Sequence, residues 1–230
     1  MSDVSSRILY EDNHLIIINK ECGELVQGDQ TGDVTLADEV KNYLKETYNK
    51  QGNVYLGIPH RLDRPTSGIV VYAKTEKALI RLNEAFKGTQ VKKTYWAVVD
   101  NAPNKAEGTL VHYVIRNSAQ NKTVAYSIEK KGSKVAKLDY KIIGQSDKFY
   151  LLEIALHTGR HHQIRSQLAA IGVHIKGDLK YGYPRSDNDG GIHLHARKIV
   201  FTHPVKKEEI TIVAPVPNET LWKFFENSQK

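Results

Sequence analysis

The sequence has one cysteine among its 230 residues, so no disulfide can form within the chain. No hydrophobic run approaches the roughly 20 residues that a membrane-spanning helix requires. The first residues, MSDVSSRILYEDN, lack the apolar centre of a signal peptide. These absences predict a soluble cytoplasmic protein that does not enter a membrane.

The sequence also lacks several short motifs by which enzymes are recognised. It contains no GxGxxG after a strand, no GxxxxGK[ST] and no HExxH, so dinucleotide binding, Walker-type phosphate binding and zincin chemistry have no support. The cysteine, Cys22, lies in ECGE between two acids that disfavour a reactive thiolate. We therefore expect a structural thiol and no cofactor.

Histidine is the one metal-binding residue type that is plentiful, with ten copies. Several of them cluster, at His157, His161–His162, His193 and His195. Since no second cysteine and no paired acid stands at ligand spacing, we interpret them as hydrogen-bonding or RNA-contacting residues. The sequence predicts no metal site.

What the chain does have is positive charge in an otherwise ordinary globular composition. Thirty-three Lys and Arg against 26 Asp and Glu give a net charge of +7 and a pI near 9.2, with 40% hydrophobic residues. This balance favours a polyanionic partner such as nucleic acid, although an anionic membrane surface would carry the same signature. The length fits a single folding unit.

Hydrophobic periodicity divides the chain into a mixed first part and a second part dominated by strands. Helices are predicted from Thr35, over Thr75–Lys87, over 162–172 and over 218–226. Strands are predicted on both sides of residues 12–13 and over 68–73, 94–99, 109–115, 122–128, 135–143, 149–156, 192–201 and 210–214. Consecutive strands without intervening helices indicate antiparallel pairing. The pattern predicts an α+β fold built on a large mixed, mostly antiparallel sheet with flanking helices.

One acid stands out in GIPHRLDRPTSGIVVYAKT, residues 57–75. Asp63 lies between Arg61 and Arg64, in a loop rich in proline and glycine that precedes an apolar strand. A structural ion pair explains such an acid as well as a catalytic role does, because ion pairs also perturb ionisation.

Two further segments carry candidate chemistry. In TGRHHQIRSQL, donors concentrate at the start of a helix, where phosphate oxygens bind readily; a solvated basic face is the plainer explanation. If this helix begins near Thr158, Arg165 lies at the edge of its buried face and can reach across a cleft to a carboxylate. In KKTYWAVV, Tyr95 follows Lys92 and Lys93, which is compatible with base stacking but equally with a core aromatic.

Taken in order, HRLDRPTSGIVVYAKT, KKTYWAVV and TGRHHQIRSQL…GDLKYG resemble the signature segments of the RluA-type family of RNA pseudouridine synthases. The resemblance extends from about residue 8 to 215. It implies the pseudouridine synthase fold, in which a long bent sheet forms two lobes around one catalytic cleft. We expect a single catalytic domain over residues 1–230, without the S4 module that many relatives carry.

The resemblance also implies the chemistry: isomerisation of specific uridines in ribosomal or transfer RNA, without metal or cofactor. It implies that Asp63 is the catalytic aspartate, Tyr95 the active-site tyrosine and Arg165 the arginine that pairs with the aspartate. Arg61 matches the position that helps to extrude the target uridine. The motifs together predict substrate contacts from His60, Arg61, Arg64, Thr66, Arg160, His162 and Gln163.

Two other functions stay open on the residues alone. A non-catalytic RNA-binding protein would have no need of Asp63, whereas a ribonuclease would use His60 or His162 as acid and base. The target nucleotide and a need for a helper protein are left open by the sequence. A monomer is the default expectation, since no exposed apolar stripe is evident.

Overall fold

The computed structural model describes residues 3–28, 32–88 and 90–229. The helices are α1 (Leu36–Thr47), α2 (Glu76–Lys87), α3 (Gln163–Ala170) and α4 (Thr220–Asn227). The strands are β1 (Ile8–Glu11), β2 (Leu15–Lys20), β3 (Ser67–Ala73), β4 (Lys92–Val99), β5 (Glu107–Asn117), β6 (Lys122–Tyr126), β7 (Lys134–Gln145), β8 (Tyr150–Leu156), β9 (Leu194–Thr202) and β10 (Glu209–Val213). The predicted α+β class is confirmed.

The chain forms two units. The first comprises Met1–Val91 and Arg197–Pro215, and the second comprises Lys92–Ala196 and Val216–Lys230. The predicted single domain with a central cleft stays a prediction; its range of 1–230 includes residues 1–2, 29–31, 89 and 230, which lie outside the described ranges.

In the first unit, β2 pairs antiparallel with both β1 and β3, and β10 pairs antiparallel with β9. Strands β2 and β3 are apolar along their length, and their side chains on one face pack on α1 in a core that includes Ile16, Val40, Val70 and Tyr72. Helix α1 begins as predicted at Thr35, whose hydroxyl and the Asp38 carboxylate form a reciprocal capping box.

In the second unit, the strands follow the order β4-β8-β7-β5-β6, and each neighbouring pair is antiparallel. The two faces of β4 differ, because side chains alternate along a strand. Trp96 and Val98 pack with Trp222 and Phe225 of α4, whereas Tyr95 belongs to the other face. This is the alternation that a strand over KKTYWAVV requires.

Two local predictions for α3 need correction. The helix begins at Gln163 and not near Thr158, because His162 adopts left-handed backbone angles (φ 49°, ψ 28°) that cannot continue a helix. Ile171 lies within the predicted helix 162–172, at the spacing that would place it on the buried face of Ile164 and Leu168, yet it is 37% exposed. It follows the last helical residue, so the helical spacing no longer applies to it.

Across the three described ranges, no helix combines the length and apolar character needed to cross a membrane.

Candidate active site

The loop that carries Asp63 is anchored at both ends. At its start, Gly57 exchanges two backbone hydrogen bonds with Ala73 at the end of β3, of 2.8 and 2.9 Å. At its end, the Thr66 amide donates to the Asp63 carbonyl over 3.0 Å and closes a turn directly before β3. The Asp63 side chain is partly exposed. The carboxylate therefore stands on a fixed turn with access to solvent.

A buried lysine supports the same turn. Lys20, 1% exposed at the end of β2, donates to the carbonyl oxygens of Glu21 (2.8 Å) and Arg64 (3.0 Å). The Gly23 amide also donates to the Arg64 carbonyl, and Arg64 Nε donates to the Gly23 carbonyl, each over 2.9 Å. The residue after Asp63 is thus bonded to the 20–23 segment by its backbone and by its side chain.

Burial lowers the pKa of Lys20 to about 8, against the attraction of Glu24, Cys22 and Asp63. Part of that acidic surrounding is itself ordered by Arg7, whose Nη1 donates to both oxygens of Glu24 over 2.7 and 2.8 Å. The segment beside the Asp63 loop is therefore a buried network of alternating charges.

His60, on the same loop, faces into the fold. Its Nε2 accepts a hydrogen bond from the Val71 amide of β3 (2.9 Å), and its ring stacks on Phe86 with centroids 4.4 Å apart. Because Nε2 accepts, this nitrogen carries no proton. These contacts fix the ring to β3 and α2.

The other predicted residues of this loop differ in exposure. Arg61 and Arg64 are exposed, and Arg64 forms an ion pair with Asp33 at 2.9 Å. Thr66 is 2% exposed, and within the described part of the chain its hydroxyl has no hydrogen-bond partner. Solvent-exposed arginines on the Asp63 loop are free to meet phosphate oxygens as well as Asp33.

In the second unit, Arg165 is almost fully buried, at 5% exposure. It binds the Asp178 carboxylate in bidentate fashion, with Nε–Oδ2 and Nη2–Oδ1 distances of 2.7 Å. Its guanidinium carbon lies 4.9 Å from the ring centroid of Tyr181. This geometry orients the guanidinium from two sides.

His162 contacts Tyr181, the ring that lies beside the Arg165 guanidinium. The Tyr181 hydroxyl accepts from the Thr123 amide (2.8 Å) and lies 2.9 Å from His162 Nδ1, to which its proton can be donated. Burial, reinforced by the positive charge of Arg165, lowers the pKa of His162 to about 2. His162 is therefore neutral at physiological pH.

Gln163 builds the loop before α3. Its Oε1 accepts from the Thr158 hydroxyl (2.8 Å) and the Arg160 amide (3.0 Å), and its Nε2 donates to the Lys137 carbonyl (3.1 Å). Arg160 is exposed and donates Nε to the Val135 carbonyl. The predicted cluster of donors exists, but Gln163 is only 3% exposed, so Arg160 is the member that faces solvent.

Tyr95 lies in β4 opposite Ile154 of β8 and is 9% exposed. Asp63 belongs to the first unit, and Tyr95 and Arg165 to the second. The predicted pairing of Asp63 with Arg165 stays a prediction.

Three supporting residues were missed in the sequence. Asp178 and Tyr181 lie in GDLKYG, and their place in a motif segment is the signal that could have identified them. No sequence pattern indicates that Lys20 is buried, because an isolated lysine at the end of an apolar strand is usually an exposed residue at the strand boundary.

Comparison with known proteins places the chain in a family. A family model described as RNA pseudouridylate synthase matches residues 14–170. An uncharacterized RNA pseudouridine synthase of Synechocystis sp. is 35% identical over 213 residues, covering 91% of this chain and 65% of that protein. A ribosomal large subunit pseudouridine synthase C of Buchnera aphidicola is 33% identical over 220 residues, 92% of this chain and 67% of that protein. The chain thus spans about two thirds of the length of these relatives.

A solved structure agrees with the sequence matches. The human RNA pseudouridylate synthase domain containing 4 matches with a TM-score of 0.79 and 25% identity, covering 98% of this chain and 92% of that chain. The fold expected from the motifs is therefore confirmed. By sequence and by structure, the chain belongs to the RNA pseudouridylate synthase family.

Proposed function

We propose that this protein isomerises specific uridines of RNA to pseudouridine, with Asp63 as the catalytic carboxylate. The observation that carries the proposal is the Asp63 turn, which displays one partly exposed acid on a backbone bonded to Lys20, Gly23 and Ala73. A fixed carboxylate of this kind suits a reaction that needs one positioned acid.

The reaction breaks the N1–C1′ bond, turns the detached uracil within the site and joins C5 to C1′. C5 loses a proton and N1 gains one, so no electrons are transferred and no co-reactant is consumed. We assign Asp63 a role at the sugar, either as the nucleophile at C1′ or in removal of the 2′ proton on a glycal route. Addition to C6 of the base is the alternative, and a stable C6 adduct with 5-fluorouridine RNA, with no sign of attack at the sugar, would favour it.

Tyr95 and Arg165 complete the proposed site. The target base must leave its stack, which costs a few kcal/mol, and a ring such as Tyr95 offsets part of this cost by stacking. Arg165 would pair with the Asp63 carboxylate. Its bidentate bonds to Asp178 fix the guanidinium before RNA arrives.

The remaining predicted contacts divide by exposure. Arg61, Arg64 and Arg160 are exposed and are proposed to bind RNA phosphates. His60 and Gln163 are bonded to backbone groups of the fold, which supports a role in shaping the loops that carry the arginines. Contacts of His162 and Thr66 with RNA stay predictions.

A ribonuclease is disfavoured by the two histidines that it would need. His162 with a pKa lowered to about 2 cannot hold the proton that a general acid donates at neutral pH. His60 Nε2 is occupied by the Val71 amide.

Ribosomal and transfer RNA are the proposed substrates, in the cytoplasm and with the protein as a monomer. The name of the Buchnera relative, a ribosomal large subunit pseudouridine synthase, makes large-subunit RNA the first to test.

The test is tritium release from ribosomal and transfer RNA transcripts labelled at C5 of uridine, with the RNA run in parallel on a denaturing gel. We expect release from at least one pool with the RNA length unchanged. Shortened RNA would indicate a nuclease, and tight binding without release would indicate a non-catalytic RNA-binding protein.

A further inference from the structure

Lys93 of β4 is a cation without a role in the proposed reaction. It lies in β4 opposite Leu156 of β8, two residues before Tyr95, so both side chains belong to the same face of the strand. Its ammonium group borders the loop before α3, since a Cβ added to Gly159 would come within 3.4 Å of Nζ. The lysine therefore connects the Tyr95 strand with the loop of Arg160.

The Lys93 side chain is partly buried. Burial lowers the pKa of Lys93, and among the described residues no charge or hydrogen bond opposes that shift. In the described part of the chain, no carboxylate or carbonyl accepts a hydrogen bond from Nζ. A desolvated charge without a partner costs folding free energy, so its presence calls for a ligand that supplies the missing negative charge.

The surroundings of Nζ fit an anion. Leu156 opposite is apolar, and Arg160, the residue after Gly159, is exposed and donates Nε to the Val135 carbonyl. His157, which precedes this loop in the sequence, contacts Asp139, with 2.6 Å between His157 Nε2 and Asp139 Oδ2. The groups described around Lys93 thus offer positive charge and donors.

We propose that Lys93, together with Arg160, binds a phosphodiester of the RNA strand beside the nucleotide whose base lies on Tyr95. Two residues of a strand span about 6.6 Å. The long side chain of Lys93 therefore reaches the phosphate backbone of a nucleotide whose base stacks on Tyr95. The ligand is a phosphate of single-stranded RNA. The proposal rests on the proposed function for the placement of the base, but phosphate binding by Lys93 is measured without turnover.

The first experiment compares Lys93→Met with Lys92→Met, which removes the same charge from the neighbouring exposed residue on the opposite face. The probe is fluorescein-labelled dodecauridylate, titrated by anisotropy over a series of KCl concentrations. The slope of log K against log[salt] is negative, and loss of one phosphate contact reduces its magnitude by about 0.7 for single strands. We expect this change for Lys93→Met and a clearly smaller one for Lys92→Met; equal changes, or none for Lys93→Met, would overturn the proposal.

Thermal unfolding of the free variants separates binding from structure. Lys93→Met removes an uncompensated charge and keeps the long side chain, so we expect a melting temperature equal to or above that of the wild type. A lower melting temperature together with weaker binding would assign Lys93 a structural role and overturn the proposal.

A third variant, Lys93→Arg, tests the charge itself. Because the pKa of Lys93 is lowered, wild-type affinity should fall at a lower pH than an ordinary lysine allows, whereas the arginine stays charged. The ratio of the two affinities cancels titration of the uracil, and a constant ratio up to pH 10 would contradict the proposal. Since none of these readouts depends on turnover, failure of tritium release with these results intact would reject the activity and not the phosphate site.

Discussion

Lys20 connects the stability of the first unit with the position of Asp63. It is buried, its ammonium bonds to the Arg64 carbonyl directly after the aspartate, and Asp63 is among the charges that attract it. We interpret Lys20 as a positioning residue, since it acts on the reaction only through the turn and the charge of Asp63.

Replacing Lys20 with methionine should slow turnover more than it weakens RNA binding. The variant leaves the Arg64 carbonyl bonded to the Gly23 amide alone, and a misplaced carboxylate costs up to roughly 100-fold in rate. We expect kcat to fall about 10- to 100-fold with the dissociation constant for RNA nearly unchanged. Lys20→Arg, which keeps a charge, should retain more activity; equal kcat in the wild type and both variants would contradict the positioning role.

The same lysine makes a prediction for pH. Its pKa of about 8 means that the charge beside Asp63 is lost as pH rises through 8, so wild-type kcat should fall there, and this fall should be absent from Lys20→Arg.

The effect of Lys20 on stability has the opposite dependence on pH. The folded-state pKa lies below the unfolded value, so the unfolded chain binds more protons between pH 8 and about 10.5, and the contribution of Lys20 to stability rises with pH in that window. Urea unfolding at several pH values measures it.

Asp178 should be the most costly single truncation near Arg165. The two side chains are 1% and 5% exposed, and Asp178→Ala removes two hydrogen bonds from a buried guanidinium. We expect a loss of about 3–5 kcal/mol in the free energy of unfolding. Asp33→Ala, which removes the half-exposed partner of Arg64, should cost about 1 kcal/mol or less. Similar small losses for both would show that the buried pair does not stabilise the second unit.

Helices and strands were predictable where their causes are local. The capping box of α1 and the cap and stop of α2 at Thr75 and Gly88 are written in neighbouring residues, and the strand positions follow from apolar alternation. The range 162–172 placed the start of α3 to within one residue. A start near Thr158 is wrong, because Gln163 bonds to Thr158, to Arg160 and to the distant Lys137, and the last of these contacts is not visible in the local pattern.

The junction of the Asp63 loop with α2 gives a test of packing between elements. A Cβ at Gly57 would lie 2.8 Å from Leu79 Cδ2 and 3.0 Å from Leu79 Cβ, so a larger residue must displace the loop or the helix. We expect Gly57→Val to lower the free energy of unfolding by about 1–3 kcal/mol, measured by urea denaturation. Gly28→Val, where an added Cβ meets no atom of the described residues within 4 Å, is the control; matching effects would mean that the Leu79 contact is unimportant.

The protein as a whole combines a net charge of +7 with candidate site residues from both units. The identities of Asp63, Tyr95 and Arg165 could be proposed from the sequence because they lie in motifs. Their support could not, because Lys20, Asp178 and Tyr181 act through contacts between segments distant in the chain or through burial. A basic chain of this kind should lose RNA affinity steeply with salt, whatever its specificity.

The most direct measurement is the amount of pseudouridine formed in ribosomal and transfer RNA transcripts, determined by nucleoside chromatography after incubation with excess protein. Wild type, Asp63→Asn and Asp33→Asn are compared, because Asp33→Asn removes an acid that pairs with Arg64 of the same turn and leaves the Asp63 carboxylate in place. We expect pseudouridine with the wild type and with Asp33→Asn, and none with Asp63→Asn although that variant still binds RNA. Pseudouridine formed at the wild-type rate by Asp63→Asn would contradict the role assigned to Asp63, and none from the wild type on any of these RNAs would contradict the proposed activity.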